Sequence, residues 1–424
     1  MLAVNEITEQ MLTFNDLTNV FFSGCKQQES IGVESEKLLV YKGSGKAVKY
    51  DDIVKVLECF AFEGWQKVYE QNRLMALKSN IGTITLEPGS QIELSLAPFQ
   101  NLDEIKYHLD NFYNKLSKYA AKINAQVLNS GIQPVSTYEN IDVIPKKRYE
   151  YMTKYLPTKG LTPFVMMRET AGIQANFDYN SEDDAIRKLK LAIKMSPIIS
   201  SIYSNSPIRN SKLTGYKSFR ANSWLNVDDD RCGYISKKLF DGSCFTFEDY
   251  TNILLDVPMI FIQRANIYFS YNKTFREFMN KGYNGLSAQM SDWLTHISLY
   301  FPDVRLKTYV EIRNHDAQNK EMTYSVPAFW KGIMYNKSAT EEAEKILTKY
   351  EYNDFIKLRK EAPVKAINAN LGSTRVIDLV KRFFEISYES LKQNKRDEEK
   401  YLEPVFEYIT KECVPADDII ESYK

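Results

Sequence analysis

With 424 residues and a hydrophobic share of 44%, the chain can bury a large core, and one folded unit is the simplest account of that length. Lys+Arg 55 against Asp+Glu 55 leaves no net charge. This excludes a general electrostatic case for nucleic acid or an anionic membrane as partner, so an anionic substrate needs local basic sites. Apolar runs are too short for a membrane helix, the start Met1-Leu-Ala-Val-Asn-Glu-Ile-Thr-Glu9 is acidic where targeting leaders are basic, and a cytoplasmic location is expected.

Along the chain, strand-like alternation first appears in Ile31-Gly-Val-Glu-Ser-Glu-Lys-Leu-Leu-Val40, where Glu34 and Glu36 share one face and Lys37 falls on the other. Helical periodicity follows over about 51–72. Thr83–Ser95 reads as a hairpin around Pro88-Gly89-Ser90, with Glu87 at the turn and Glu93 between Ile92 and Leu94, facing away from both. Further helices are expected over 101–125, 182–197, 246–281, 287–300, 339–361 and 374–412, the second of them capped from Ser181-Glu-Asp-Asp184. Between them, Gln174 and Asn176 alternate with Ile173, Ala175 and Phe177, and Glu311 and Arg313 alternate with Val310 and Ile312. Arg168 has the strand parity of Gln174. Lys392–Lys400 reads as a solvated face or a helix–helix connection.

Seven acidic or amide side chains thus lie on strand-like stretches, a pattern of hard oxygen donors that suits Mg²⁺ and a nucleotide phosphate chain. Loop-type nucleotide motifs fail: Gly43-Ser-Gly-Lys46 lacks the first glycine of a phosphate loop and is followed by Ala47 where a hydroxyl is needed. Five scattered cysteines and three scattered histidines give neither a zinc site nor a disulfide framework. Cys232 has no histidine base nearby in sequence, which argues against a nucleophile. The string Pro327-Ala-Phe-Trp330 reads as core packing, and His108 as a surface or structural residue of an amphipathic helix.

These same stretches resemble the glutamate–cysteine ligases of plants and many bacteria, within the carboxylate–amine ligase superfamily. The matching strings are Gly32–Lys37, Leu86–Ser95, Arg168–Asp178, Gly215–Trp224, Asp228–Gly233, Asp292–His296, Phe301–Arg313 and Pro327–Trp330, in family order. The resemblance implies an α+β, glutamine-synthetase-like fold: a curved, mainly antiparallel sheet holding the site, with helices outside. A single catalytic unit is expected over 1–424, with a motif-bearing core at about 31–335 and a helical C-terminal portion at about 336–424. The implied reaction joins the γ-carboxylate of L-glutamate to the amine of L-cysteine through γ-glutamyl phosphate, with ATP as co-substrate and Mg²⁺ as cofactor. On this resemblance Arg313 and Lys37 are expected to take catalytic roles; Glu34, Lys37 and Arg313 to contact the nucleotide; Glu34, Glu36, Glu93, Gln174, Asn176 and Glu311 to hold metal; and Arg148, Arg168 and Arg220 to bind substrate. Two alternatives stay open: a ligase joining glutamate to another amine, and an inactive ligase-like binding protein.

Overall fold

A computed structural model describes residues 12–423 of the chain. Alternation in the first strand, β1 (Ile31–Tyr41), sets the architecture, because its two faces meet different surroundings. Val33, Ser35 and Lys37 are buried on one side, while Glu34 and Glu36 stay partly open on the other. Eight more strands complete its sheet: β2 (Gln66–Glu70), β3 (Arg73–Ser79), β4 (Gly82–Leu86), β5 (Ile92–Leu96), β6 (Ala125–Leu128), β7 (Gly172–Phe177), β8 (Val304–Leu306) and β9 (Val310–Asp316). Their order is β8-β9-β7-β1-β5-β4-β3-β2, with β6 alongside the far half of β1, and every pairing is antiparallel.

Helices Leu102–Lys122, Glu182–Ile202 and Lys320–Met334 pack against this sheet, over a face of fully buried Val33, Leu94, Ile173, Ala175, Phe177, Val310 and Ile312. Burial of each of these side chains larger than alanine contributes about 1.5–3 kcal/mol, so this face holds the sheet in register. The α+β class with a mainly antiparallel sheet and outer helices is the one expected. Pro327, Ala328, Phe329 and Trp330 lie in helix Lys320–Met334 and are buried, as core residues should be. Ser181 caps helix Glu182–Ile202 by accepting from the Asp184 amide. His108 stacks on Phe99.

Several helix boundaries differ from the periodicity. The stretch 51–72 is helical only over Tyr50–Ala61; Gly64, at φ 101°, turns the chain into β2. The stretch 246–281 divides into helices Phe247–Asp256 and Phe275–Lys281 around a hairpin of Phe261–Arg264 and Ile267–Ser270, because Pro258 stops the first helix. The stretch 374–412 breaks after Gln393, where Lys395 takes φ 52°, and 339–361 breaks at the capping box of Glu351 and Asp354. The charged run is a helix–helix connection but is not wholly solvated. Its Glu398 is fully buried, accepting from Leu102 N at 2.8 Å and Lys331 Nζ at 2.5 Å.

Candidate active site

The polar face of the sheet floors a cleft of about 310 Å³. Strand register brings the acids of distant sequence together: Glu34 lies opposite Gln174 on one side and Ser95 on the other, Glu36 opposite Glu93, and Glu311 between Asn176 and Arg305. Six bases line the cleft, Lys146, Arg148, Arg220, Arg305, Lys307 and Arg313, against four acids, Glu34, Glu36, Glu87 and Glu93. A chain without net charge therefore presents a locally cationic cleft with an acidic floor, which suits a polyanionic substrate.

Amide side chains orient the acids. Asn176 Nδ2 donates to Glu34 Oε1 at 2.9 Å, Gln174 Nε2 to Glu36 Oε1 at 3.3 Å, and Gly172 N to Glu36 Oε2 at 2.6 Å. Glu93 Oε1 accepts from Ser95 Oγ at 2.7 Å and Thr85 Oγ1 at 3.1 Å. Burial is the largest influence on all three carboxyls and pushes them up. Glu34 reaches about 7, with Glu311 and Glu93 adding repulsion. Glu36 and Glu93 rise in the same direction, each also repelled by Glu87. Asn176 Oδ1 is buried without a hydrogen-bond partner.

Glu311 behaves in the opposite way. Burial pushes its carboxyl up, but Arg305, Lys307 and Arg313 outweigh burial and hold it well below the usual carboxylate range. Lys307 Nζ donates at 3.0 Å, Arg313 Nη1 at 2.9 Å, and Arg305 binds both oxygens. With both oxygens taken, Glu311 reaches a metal only by releasing a cation. Arg313 is fixed from a second side by Gln174 Oε1, 2.6 Å from Nη1. Both contacts follow from regular alternation, since Arg313 lies two residues after Glu311 on β9 and shares its face.

Two expected arginines reach the cleft from helices outside the sheet. Arg220, on helix Phe219–Trp224, passes over Gly172, where an added Cβ would lie 2.4 Å from its Nη2. Its Nη2 donates to Arg313 O at 3.0 Å, while its Nε and the Trp224 Nε1 have no partner within the chain. Arg148, on helix Lys147–Tyr155, also lines the cleft and leaves its Nε unpartnered. These are the donors that a small carboxylate would use.

Two expectations fail. Lys37 follows strict alternation to the opposite face, where it is buried over the Tyr113 ring and donates to Gln318 O and to Asn129 Oδ1 at 3.2 Å; burial lowers its pKa to about 7. No twist or bulge in β1 brings it into the cleft, so the structure places it on the packed face, away from the acids of the floor. Arg168 is not on a strand at all. It lies in helix Pro163–Glu169 and donates to Tyr138 O at 2.9 Å and Ile141 O at 3.3 Å, outside the cleft. Strand parity misled because Gly172 begins β7 only after that helix ends. Burial pushes the Cys232 thiol up to about 12, in keeping with the reading against a nucleophile.

Lys146, Arg305 and Lys307 were missed. Arg305 and Lys307 lie two apart in Val304-Arg-Leu-Lys307, so their alternation was a readable signal. Lys146 offered none, since it precedes a helix and enters the cleft only through the docking of that helix. Glu87, one of the seven acidic or amide side chains and placed beside the turn, also lines the cleft.

Among the described residues, no three histidine, cysteine, aspartate or glutamate side chains come close enough to cage one ion. None of the described helices is long and apolar enough to cross a membrane.

Comparison with known proteins places this geometry. Over its full aligned length the chain is 31% identical to glutamate–cysteine ligase, chloroplastic, of Nicotiana tabacum, covering 98% of this chain and 81% of that protein. It is 32% identical to glutamate–cysteine ligase B, chloroplastic, of Oryza sativa subsp. japonica, covering 97% and 84%. A crystal structure of glutamate–cysteine ligase from Francisella tularensis in complex with AMP shares the fold, with a TM-score of 0.57 at 14% identity over 94% of this chain and 85% of that one. The plant names correct the expected cytoplasmic location, which does not stand. Soluble composition reports a tolerance of water, which any aqueous compartment satisfies, and the acidic start at Met1–Glu9 lies outside the described residues. A family model described as glutamate-cysteine ligase family 2 (GCS2) matches residues 30–422, spanning every strand of the cleft floor, and the chain belongs to that family of ligases.

Proposed function

We propose that the cleft joins the γ-carboxylate of L-glutamate to the amine of L-cysteine, consuming ATP and releasing ADP and phosphate. The observation that supports it best is the opposition of Arg313, clamped by Gln174 and Glu311, to the row of Glu34, Glu36 and Glu93. A carboxylate is a poor electrophile, so the γ-carboxylate oxygen first attacks the terminal phosphorus of ATP in line, and ADP leaves. The cysteine amine then attacks the γ-carbonyl carbon, and the C–O bond to phosphate breaks. Both steps move negative charge toward the cationic side of the cleft. Arg313 neutralises it there, as preorganised charge does best in a water-poor site. Arg220, with Arg148, holds the glutamate α-carboxylate; a guanidinium fork fits that planar anion.

Mg²⁺ fits the acidic floor on two grounds: three crowded carboxyls there have raised pKa values, and the Asn176 Oδ1 lacks a partner. Glu34, Glu36 and Glu93 would offer one or two carboxylates to any one ion, with the ATP phosphate oxygens completing its shell, since no three described acids close on a single ion. When bound, Mg²⁺ screens the phosphate charge.

The test is turnover of purified protein with ATP, Mg²⁺, glutamate and a panel of amines, following ADP and identifying the product by mass spectrometry. Cysteine-dependent ADP release with γ-glutamylcysteine as product is the expected result. Release driven by another amine and not by cysteine would reassign the acceptor, and no amine dependence at all would make the chain an inactive ligase-like protein.

A further inference from the structure

Resting on that reading, we propose that Arg305 is a positioning residue for phosphoryl transfer, acting through Glu311 to fix the Arg313 guanidinium. Arg305 stands directly across the β8–β9 hairpin from Glu311 and is only 6% exposed. Its Nε and Nη2 grip the two oxygens of Glu311, and its Nη1 donates to Ser298 O at 3.3 Å, at the end of helix Met290–Ser298, and to Tyr300 O at 2.6 Å, just past it. One end of the guanidinium is thus tied to rigid backbone and the other to the carboxylate. Glu311, which is fully buried, passes that constraint to Arg313 through its Oε2 at 2.9 Å.

A lysine could not do this. Lys307 already gives Glu311 a second positive charge at 3.0 Å, but a point charge leaves the plane of the carboxylate free to turn. A fork fixes the plane, and with it the direction from which Arg313 is held. Catalytic groups need placement to within about 0.5 Å, which a single flexible ion pair does not provide.

Arg305→Gln, Arg305→Lys, Glu311→Gln and the Arg305→Gln/Glu311→Gln double variant test this in the ADP-release assay. Because displacement of about 1 Å can cost about 100-fold in rate, Arg305→Gln is expected to lower kcat by about 10- to 100-fold, with KM values for glutamate and ATP within about two-fold of wild type. Arg305→Lys restores little of that loss. In the Glu311→Gln background the Arg305 substitution costs less than about two-fold, because the contact through which it acts is already gone. An equal loss of kcat in both backgrounds overturns the proposal, as does a loss that appears mainly in KM. A crystal structure of Arg305→Lys with Arg313 still seated between Gln174 and Glu311 also overturns it, and this readout needs no activity. Wild-type protein that releases no ADP with cysteine counts against the proposed reaction; displacement of Arg313 in the Arg305→Lys structure would still support the positioning role.

Discussion

At the scale of single residues, the carboxyl of Glu34 gives the clearest pH signature. Burial and two neighbouring acids raise it to about 7 in the folded chain, whereas an unfolded glutamate titrates near 4.3. The folded state therefore holds the extra proton between those values, and stability present below pH 4.3 is lost as pH rises through 7. Without metal or nucleotide, Glu34→Gln is expected to gain on wild type across that window, by on the order of 1–3 kcal/mol, and to hold a constant advantage above it. Melts at pH 5, 6, 7 and 8 in a chelator check this, and a pH-independent difference would contradict it. Turnover in the same variant should fall by at least about 100-fold, since an amide keeps the shape but not the charge that the proposed Mg²⁺ site needs. Arg220→Lys is expected to raise the glutamate KM about 10-fold or more and leave the ATP KM nearly unchanged, because lysine loses the fork. Arg148→Lys should have a smaller effect. A glutamate KM unmoved in Arg220→Lys would remove that residue from the substrate site.

At the scale of elements, alternation was a reliable guide wherever a strand has one polar and one apolar face. The positions of Glu34, Glu36, Glu93, Gln174, Asn176 and Glu311 on the polar face all follow from period two. Alternation also put Lys37 on the far side of β1; only the family resemblance argued otherwise. Helix periodicity was weaker at boundaries, since Gly64 and Pro258 interrupt stretches whose apolar spacing continues past them. The C-terminal helices touch the site through Arg359, on helix Tyr352–Lys365, which binds Asp303 at 2.6 and 2.9 Å; Asp303 O in turn accepts from Arg313 N at 3.1 Å. Arg359→Met leaves the shielded Asp303 without its partner and is expected to destabilise the fold by about 2–4 kcal/mol. Urea denaturation measures it, and a midpoint equal to wild type would show that the pair is dispensable.

At the scale of the whole molecule, one buried apolar cluster extends from Leu17 to Ala416, and the buried Lys331–Glu398 pair ties the sheet-covering helix to the C-terminal connection. We infer a single catalytic unit over the chain. It should unfold in one cooperative transition by calorimetry, and Mg²⁺ with ATP should raise that transition in wild type more than in Glu34→Gln, since a ligand stabilises in proportion to its affinity for the native state. Two resolved transitions would separate the C-terminal portion as its own domain. The sequence by itself determined the polar faces of four strands, because face and period are local properties of a chain, while fold class and family followed from the motif strings it shares with the glutamate–cysteine ligases. Only the tertiary structure decided which of those residues share the cleft. Arg168 turned away in a helix and Lys146 arrived just ahead of one, through docking between segments far apart in sequence, while Glu311 became an anchor for three cations of its own hairpin, whose ion pairing no local period encodes.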